Sequence, residues 1–269
     1  MDDKTFNKFR ALVFKKSGIY LRENKKSLLL TRLAKRMRDL DIKEHKDYLK
    51  YIIDDNSGEE ITKFLDVITT NVTSFFREEK HFEVLTQYMK QWLAEGQRKF
   101  RFWSAACSSG EEPYTLAITL LDATKGYQVD LKILATDLST RILASAKRGE
   151  YTTDKVSTVK KSMQSEYFDR ESVDGQDLYI VKDFVKKIIS FNAINLSTPP
   201  FKMKGPFDAV FCRNVMIYFN NDTKSALLKD IARLLKTGGI LFVGHAESLT
   251  GQLSELKSIK PSVYFKEKD

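Results

Sequence analysis

The length and composition of the chain are those of a globular protein with a substantial hydrophobic core. It has 269 residues, enough for one large or two modest domains, of which 42% are apolar and 30% charged. No apolar run approaches the roughly 18 residues that span a membrane, and the first residues lack the apolar segment of a secretory signal. We therefore expect a cytoplasmic protein with no membrane span of its own.

Residue types that bind metals are few and scattered. Cys107 and Cys212 are distant in sequence, and His45, His81 and His245 are isolated. This spacing matches no structural metal site, and without an export signal reduced, buried thiols are the default. We expect no bound metal.

The net charge of +9 is concentrated near the N-terminus. Between Lys4 and Arg38 there are twelve lysines and arginines against one acid, Glu23, which is +11, so the rest of the chain sums to −2. Such asymmetry favours an acidic partner: nucleic acid, anionic lipid or an acidic protein surface. The ordinary alternative is a solvated helix face.

Residues 3 to about 95 are predicted to be helical throughout. The best-defined segment, Ser27 to Leu40, has apolar residues on one face and four cationic residues mostly off it: Arg32, Lys35, Arg36 and Arg38. A loop, Asn71 to Arg77, carries the adjacent Phe75 and Phe76 and is expected to pack over something, or simply to connect two helices. We place the domain boundary at residue 95, with Gly96 to Lys99 as linker.

From Phe100 onward the pattern alternates between strands and helices, which predicts a mostly parallel sheet with helices on both faces. The expected strands are 100–104, 131–136, 187–192, 207–212 and 239–244, followed by a hairpin of 256–259 and 263–266. Residues 149–187 interrupt this rhythm and suggest a small inserted antiparallel sheet. Within it, Asp169 to Gln176 looks like a turn, and the turn Thr237-Gly238-Gly239 is expected to precede the last parallel strand.

The first strand is followed by small residues, Ser104 to Gly110, and then by Glu111, Glu112 and Pro113, which suit a first helical turn. Small side chains let a ligand approach the backbone closely. Asp137 stands 27 positions after Gly110, at the end of the next strand. An acid there is typical of ribose binding in βαβ units, so the pattern favours a nucleoside site.

Two longer motifs, SAACSSGEEPYTLA and FCRNVMIYF, together with the Asn71–Arg77 loop, Ala135-Thr136-Asp137 and Asn195-Leu196, closely resemble the CheR family of chemotaxis receptor glutamate methyltransferases. The resemblance covers nearly the whole chain. It implies a class I S-adenosylmethionine-dependent methyltransferase domain of α/β, Rossmann-like fold, an all-α N-terminal domain and an inserted antiparallel β-subdomain.

By this resemblance the protein would transfer the methyl group of S-adenosylmethionine to glutamates on the acidic cytoplasmic helices of chemoreceptors. The implied cofactor contacts are Asn71, Thr73, Arg77, either Glu111 or Glu112 with Glu112 preferred, Asp137, Asn195, Leu196, Arg213 and Asn214. Arg77 and Tyr218 would orient the reacting groups, and Phe75 and Phe76 would exclude water. The basic helix residues Arg32, Lys35, Arg36 and Arg38 would face the receptor. We expect a monomer that binds no nucleic acid, and docking of a receptor pentapeptide on the subdomain stays open because only Gly175 is found in its turn.

Each site residue also has an ordinary structural explanation. Asp137 could cap the following helix, Asn195 could belong to a turn, Arg213 could pair with a carboxylate and Tyr218 could be core. Three other functions are less favoured. The turn lacks the G-x-G-x-x-G pattern of an NAD-dependent dehydrogenase, a nucleic-acid amine methyltransferase would need an N/D-P-P-Y/F motif, and an adaptor without ligand would not need the intact site.

Overall fold

The computed structural model describes residues 1–68, 72–173, 175–249 and 255–267. Five helices come first: α1 (Asp3–Ser17), α2 (Lys26–Asp39), α3 (His45–Asp54), α4 (Glu59–Ile68) and α5 (Lys80–Ala94). The amphipathic faces of α1 to α4 enclose a core of their own around Phe9, Leu33, Tyr48 and Phe64. As the periodicity predicts, no strand precedes β1 among the described residues.

The remaining elements alternate between strands and helices. In chain order they are β1 (Lys99–Ala105), α6 (Glu111–Ala123), β2 (Asp130–Asp137), α7 (Thr140–Arg148), β3 (Glu150–Thr152), α8 (Thr153–Val156), α9 (Lys161–Tyr167), β4 (Phe168–Val173), β5 (Gln176–Val181), α10 (Asp183–Lys186), β6 (Ile189–Ala193), β7 (Phe207–Cys212), α11 (Asn221–Leu234), β8 (Leu235–Val243), β9 (Leu256–Lys260) and β10 (Val263–Lys266). None of the helices in the described ranges is both long and apolar enough to cross a membrane.

The main sheet has seven strands in the order β6-β2-β1-β7-β8-β10-β9. The first five are parallel, and β10 and β9 form the antiparallel edge. Hydrophobic clusters cover both faces. The predicted fold class is therefore confirmed. The chain runs outward from β1 through β2 to β6 and then returns to β7 on the other side of β1. In sheets with such a reversal, ligands bind at the carboxyl ends of the strands that flank it.

The inserted sheet has three antiparallel strands in the order β3-β5-β4. Two local predictions were wrong. Most of the segment predicted as a turn, Asp169 to Gln176, is in β4 and β5, because pairing with the apolar β5 overrides its polar sequence. The Thr237-Gly238-Gly239 segment lies inside β8, which begins at Leu235 and accommodates the glycines at a shift in its register with β7.

Candidate functional site

A cavity of about 510 Å³ lies at the carboxyl ends of β1, β2 and β7, beneath the helical region. The sheet region contributes apolar side chains such as Leu138, Ile194 and Val215. It also contributes small and polar residues: Ala106, Ser108, Glu112, Asp137, Asn195, Arg213, Asn214 and Tyr218. The helical region contributes apolar side chains, among them Ile19, Ile61 and Leu65, and also polar ones, among them Thr62, Asp66 and Arg77. The site is thus formed between the two regions, and each region contributes both polar and apolar side chains.

The turn between β1 and α6 brings its backbone to the cavity. Ala106 and Ser108 have positive φ angles of 64° and 50°, and Gly110 has a φ of 99°. A Cβ at Gly110 would lie 2.7 Å from the Tyr151 hydroxyl, so both the angle and the space require glycine. The inserted sheet, which carries Tyr151, therefore buttresses this turn from outside the cavity.

Asp137 links the turn to the end of β2. Its Oδ2 accepts a hydrogen bond from the Ser108 N–H at 2.9 Å, and its Oδ1 accepts one from the Ser139 N–H at 3.0 Å. Burial raises the pKa of the Asp137 carboxyl above its usual value, although these N–H groups act in the opposite direction. Ser139 itself caps α7 by accepting from the Ile142 N–H, so Asp137 is not the cap.

The two glutamates at the start of α6 differ in position. Glu112 lines the cavity, where its Oε1 accepts from the Ser104 hydroxyl at 2.6 Å. Glu111 is completely buried and contacts the Ser109 hydroxyl at 2.6 Å and Lys155 at 3.0 Å. Glu111 is not among the residues that line the cavity, which favours Glu112 as the candidate for the cofactor contact.

Arg213 is 5% exposed and connects three segments around the cavity. Its Nη1 donates to Glu112 Oε2 at 3.1 Å, and its Nη2 donates to Glu78 Oε2 at 2.9 Å and to the Arg77 carbonyl. Burial raises the pKa of Glu112 although Arg213 favours its ionised form. For Glu78, burial is outweighed by Arg213 and the His245 N–H, which hold its pKa below the usual value. Arg213 therefore pairs with carboxylates, as the structural alternative allowed, and it also lines the cavity.

Asn214 and Tyr218 both line the cavity. Asn214 has a left-handed φ of 58°, and its N–H is bound by the buried carboxylate of Glu247. The Tyr218 carbonyl accepts from the Tyr20 N–H at 2.7 Å, and the tyrosine ring packs against the core of the helical region. Tyr218 is therefore both a packing residue and a cavity residue.

Asn195 and Leu196 follow β6 and also line the cavity. The side-chain Oδ1 of Asn195 accepts from the Ser197 N–H at 3.0 Å, and its side-chain Nδ2 donates to the Lys16 carbonyl at 3.1 Å. Asn195 thus makes the turn that the sequence allowed as an alternative, and it also ties the sheet region to the end of α1.

The loop before α5 places Thr73 and Arg77 at the cavity, whereas Asn71 lies outside the described residues. Arg77 Nη1 donates to the Val72 carbonyl at 2.7 Å. Phe75 and Phe76, which were predicted to exclude water, are not among the residues that line the cavity. Phe75 instead packs at 4.9 Å from the Tyr151 ring, because the apolar base of the inserted sheet offers it complete burial.

The four cationic residues of α2 predicted to face the receptor differ in their surroundings: two contact α4 and two are exposed to solvent. Arg36 pairs through its Nε and Nη2 with Glu60, which also accepts from the Tyr48 hydroxyl, and Arg32 donates to the Ile68 carbonyl. The side chains of Arg32 and Arg36 therefore bond to groups of α4, which leaves them less available to a partner than Lys35 and Arg38. Lys35 and Arg38 are exposed. None of the four residues is among those that line the cavity.

Sequence reasoning missed Glu78, Glu247 and His81. The last residue of the GHAE segment, Glu247, follows the end of β8 much as Asp137 ends β2, and this position is the signal that could have identified it. Glu78 and His81 meet His245 only in the folded chain, with ligand-type atoms within 4.8 Å of one another. Because the Arg213 guanidinium binds Glu78 there, this cluster does not resemble an open cation site.

The residues present fit the cofactor that the family resemblance implies. The cavity is large enough for a nucleoside-sized ligand, its floor exposes the backbone of a small-residue turn, and the Asp137 carboxylate projects at the end of the adjacent strand. These features would accommodate a nucleoside with its ribose hydroxyls at Asp137.

Comparisons with known proteins agree with this arrangement. Residues 71–265 match the model of the CheR methyltransferase SAM-binding domain, and residues 4–69 match that of the CheR methyltransferase all-alpha domain. The chain is 34% identical to the chemotaxis protein methyltransferase of Salmonella typhimurium over 269 residues, covering all of this chain and 92% of that protein. It is 38% identical to a probable chemotaxis protein methyltransferase of Rhizobium etli, covering 90% and 91%, and 34% identical to the Escherichia coli chemotaxis protein methyltransferase, covering 93% and 86%. The protein therefore belongs to the CheR family of S-adenosylmethionine-dependent chemotaxis methyltransferases.

Proposed function

We propose that the protein methylates side-chain carboxylates of glutamates on the cytoplasmic helices of chemoreceptors, forming glutamate methyl esters. The observation that carries the proposal is that one cavity is lined both by Ser108 and Asp137, the candidates for the nucleoside, and by Arg77 and Tyr218, the candidates for the reacting groups. A protein with this function acts in the cytoplasm on receptors that are themselves embedded in a membrane. We propose that it does so as a monomer.

S-adenosylmethionine supplies a methyl group on a positively charged sulfur. On the protein side, Asp137 would hold the ribose hydroxyls, and Asn195 and Leu196 would border the adenine. Glu112 would hold the positively charged end of the cofactor, because its carboxylate is fixed by Ser104 and Arg213 at the cavity wall. The small residues 106–110 keep the turn open to the ligand.

The accepting carboxylate is already ionised at neutral pH, since the reference pKa of glutamate is about 4.3. The reaction therefore needs no general base, and no histidine or cysteine is found among the described residues that line the cavity. The contribution of the protein is to align the two reactants, which is worth about 7–11 kcal/mol in favourable cases. Arg77 and Tyr218 would orient the incoming carboxylate.

A substitution separates the role of Tyr218 in turnover from its role in packing. The phenylalanine variant keeps the ring in the helical core and removes only the hydroxyl. We expect Tyr218→Phe to lower kcat by about tenfold and to leave the Kd for S-adenosylhomocysteine nearly unchanged. Isothermal titration calorimetry and initial rates measure the two quantities. A weakened Kd with an unchanged rate per bound enzyme would contradict this role.

The decisive experiment is incubation of the purified protein with tritiated S-adenosylmethionine and chemoreceptor-containing membranes. Base-labile label on the receptor identifies carboxyl methyl esters, whereas base-stable label indicates another acceptor. Asp137→Asn is the matched control, since it keeps the side-chain size and removes the charge at the ribose position. We expect label with the natural protein and less than about a tenth of that rate with the control at low cofactor concentration.

A further inference from the structure

Glu247 is a buried carboxylate, 6% exposed, at the end of β8. It does not itself line the cavity. Its Oε2 accepts from the N–H groups of Asn214 at 2.8 Å and Gly244 at 2.7 Å, and its Oε1 accepts from the Ile217 N–H at 3.2 Å. We propose that Glu247 is a positioning residue for the turn of residues 214–218, which places Asn214 and Tyr218 at the cavity.

The turn needs such support because its own sequence provides little. Asn214 adopts a left-handed conformation, which asparagine tolerates better than most residues but does not favour. The single helical turn Met216–Tyr218 begins at Val215, which has no side chain able to cap it. By accepting from the Ile217 N–H, Glu247 acts as this cap from a distant part of the chain. Hydrogen bonds to an ionised carboxylate are about twice as strong as those between neutral groups.

The end of β8 and the turn after β7 are closely packed at Gly244, beside Glu247. A Cβ at Gly244 would lie 2.4 Å from Asn214 Nδ2 and 2.9 Å from the Asn214 nitrogen. The end of β8 and the turn after β7 are therefore in direct backbone contact. Glu78 accepts from the His245 N–H at 3.2 Å and so holds the same segment from the other side. Two carboxylates thus fix the position of the turn relative to the Arg213 guanidinium.

The substitution Glu247→Gln tests this role at constant side-chain length. The amide oxygen can still accept from Asn214 and Gly244, but its NH₂ group must then face the Ile217 N–H. We expect the Met216–Tyr218 turn to loosen, so that kcat falls about tenfold while the Kd for S-adenosylhomocysteine changes by less than about threefold. Glu247→Ala removes all three bonds, and we expect it to weaken the Kd by at least about tenfold as well.

Asp208→Asn is the matched structural control. Asp208 is also a buried carboxylate, and its Oδ2 accepts from the Arg101 N–H at 2.7 Å, but it lies at the opposite ends of the strands. We expect this variant to lower Tm and to leave kcat and Kd unchanged. Natural kcat and Kd values in Glu247→Gln and Glu247→Ala would overturn the inference. The inference would also be overturned if the changes in kcat and Kd were no larger than those that Asp208→Asn shows at a similar fall in Tm.

The inference rests on the proposed function only for its kcat measurement. If the natural protein binds S-adenosylhomocysteine but labels no receptor carboxylate, the proposed function fails. The effect of Glu247→Ala on the Kd then still decides whether Glu247 positions the turn.

Discussion

The helical region and the sheet region each pair an arginine with glutamate, with different consequences. Arg36 pairs with Glu60 inside the helical core, where Tyr48 completes the network and no member is among the cavity-lining residues. Arg213 pairs with Glu78 and Glu112 at the carboxyl ends of the strands, where it lines the cavity. An arginine–glutamate ion pair thus supports packing in the helical region and the candidate site in the sheet region. The position of each pair in the fold decides which groups it can contact.

The largest effect is expected from Arg213→Leu. It leaves the largely buried Glu78 and Glu112 without their shared cation, and breaking a buried pair in this way costs about 3–5 kcal/mol of the free energy of unfolding. Because Glu112 and the Arg77 segment lose their common partner, we expect binding of S-adenosylhomocysteine to weaken by at least about tenfold. Chemical denaturation and calorimetry measure the two effects. Unchanged binding in the folded variant would show that this network is only structural.

Arg36→Leu is the counterpart in the helical region. Arg36 keeps 20% exposure, so we expect a loss of about 2–3 kcal/mol in the free energy of unfolding, below that for a fully buried pair. The Kd for S-adenosylhomocysteine should not change, because the pair does not contact the cavity. If the Kd weakened as much as in Arg213→Leu, the distinction between the two networks would be lost.

The Arg213 network also predicts a pH dependence through His81. Burial and the neighbouring Arg213 lower the pKa of His81 to about 4 in the folded protein, whereas the unfolded side chain keeps a value near 6.5. Below pH 6.5 the unfolded chain therefore binds a proton that the folded chain does not. Stability from this group is fully present above pH 6.5 and falls as the pH drops toward 4, by about 2 kcal/mol between pH 7 and pH 5.

His81→Leu isolates this contribution, because other titrating groups are common to both proteins. The difference in the free energy of unfolding between the two should shrink or reverse as the pH falls from 7 to 5. A constant difference over that range would mean that His81 does not titrate in this way. Denaturant titrations at each pH provide the measurement.

The smallest effect is expected at the exposed part of α2. Reversing Lys35 and Arg38 to glutamate should raise the KM for receptor membranes by about two- to fivefold and flatten its salt dependence, with cofactor binding unchanged. Reversing Lys147 and Lys229, which are exposed elsewhere, is the control for the same change in net charge. Equal effects of the two double variants would argue against a local receptor-binding surface at α2.

The alternation of strands and helices, the amphipathic helices and the small-residue turn could be predicted because each depends on neighbours close in sequence. Asp137 could also be predicted, since the end of a parallel strand is readable from its apolar run. The directions of Arg32 and Arg36 could not, because a helical period places a side chain on a face without identifying the α4 groups that meet it. The ring contacts of Phe75 and Phe76 could not be predicted for the same reason.

The sequence by itself determined the family, the order of the elements and the carboxylate at the end of β2, because these follow from local patterns and two specific motifs. Only the tertiary structure decided that Glu112 rather than Glu111 reaches the cavity, that Arg213 joins Glu78 to Glu112, and that Glu247 caps a turn 30 residues before it. These contacts join residues far apart in the chain. The cavity, and the N–H groups that need an acceptor, form only when the strands lie side by side, so the sequence alone does not show which side chains will meet there.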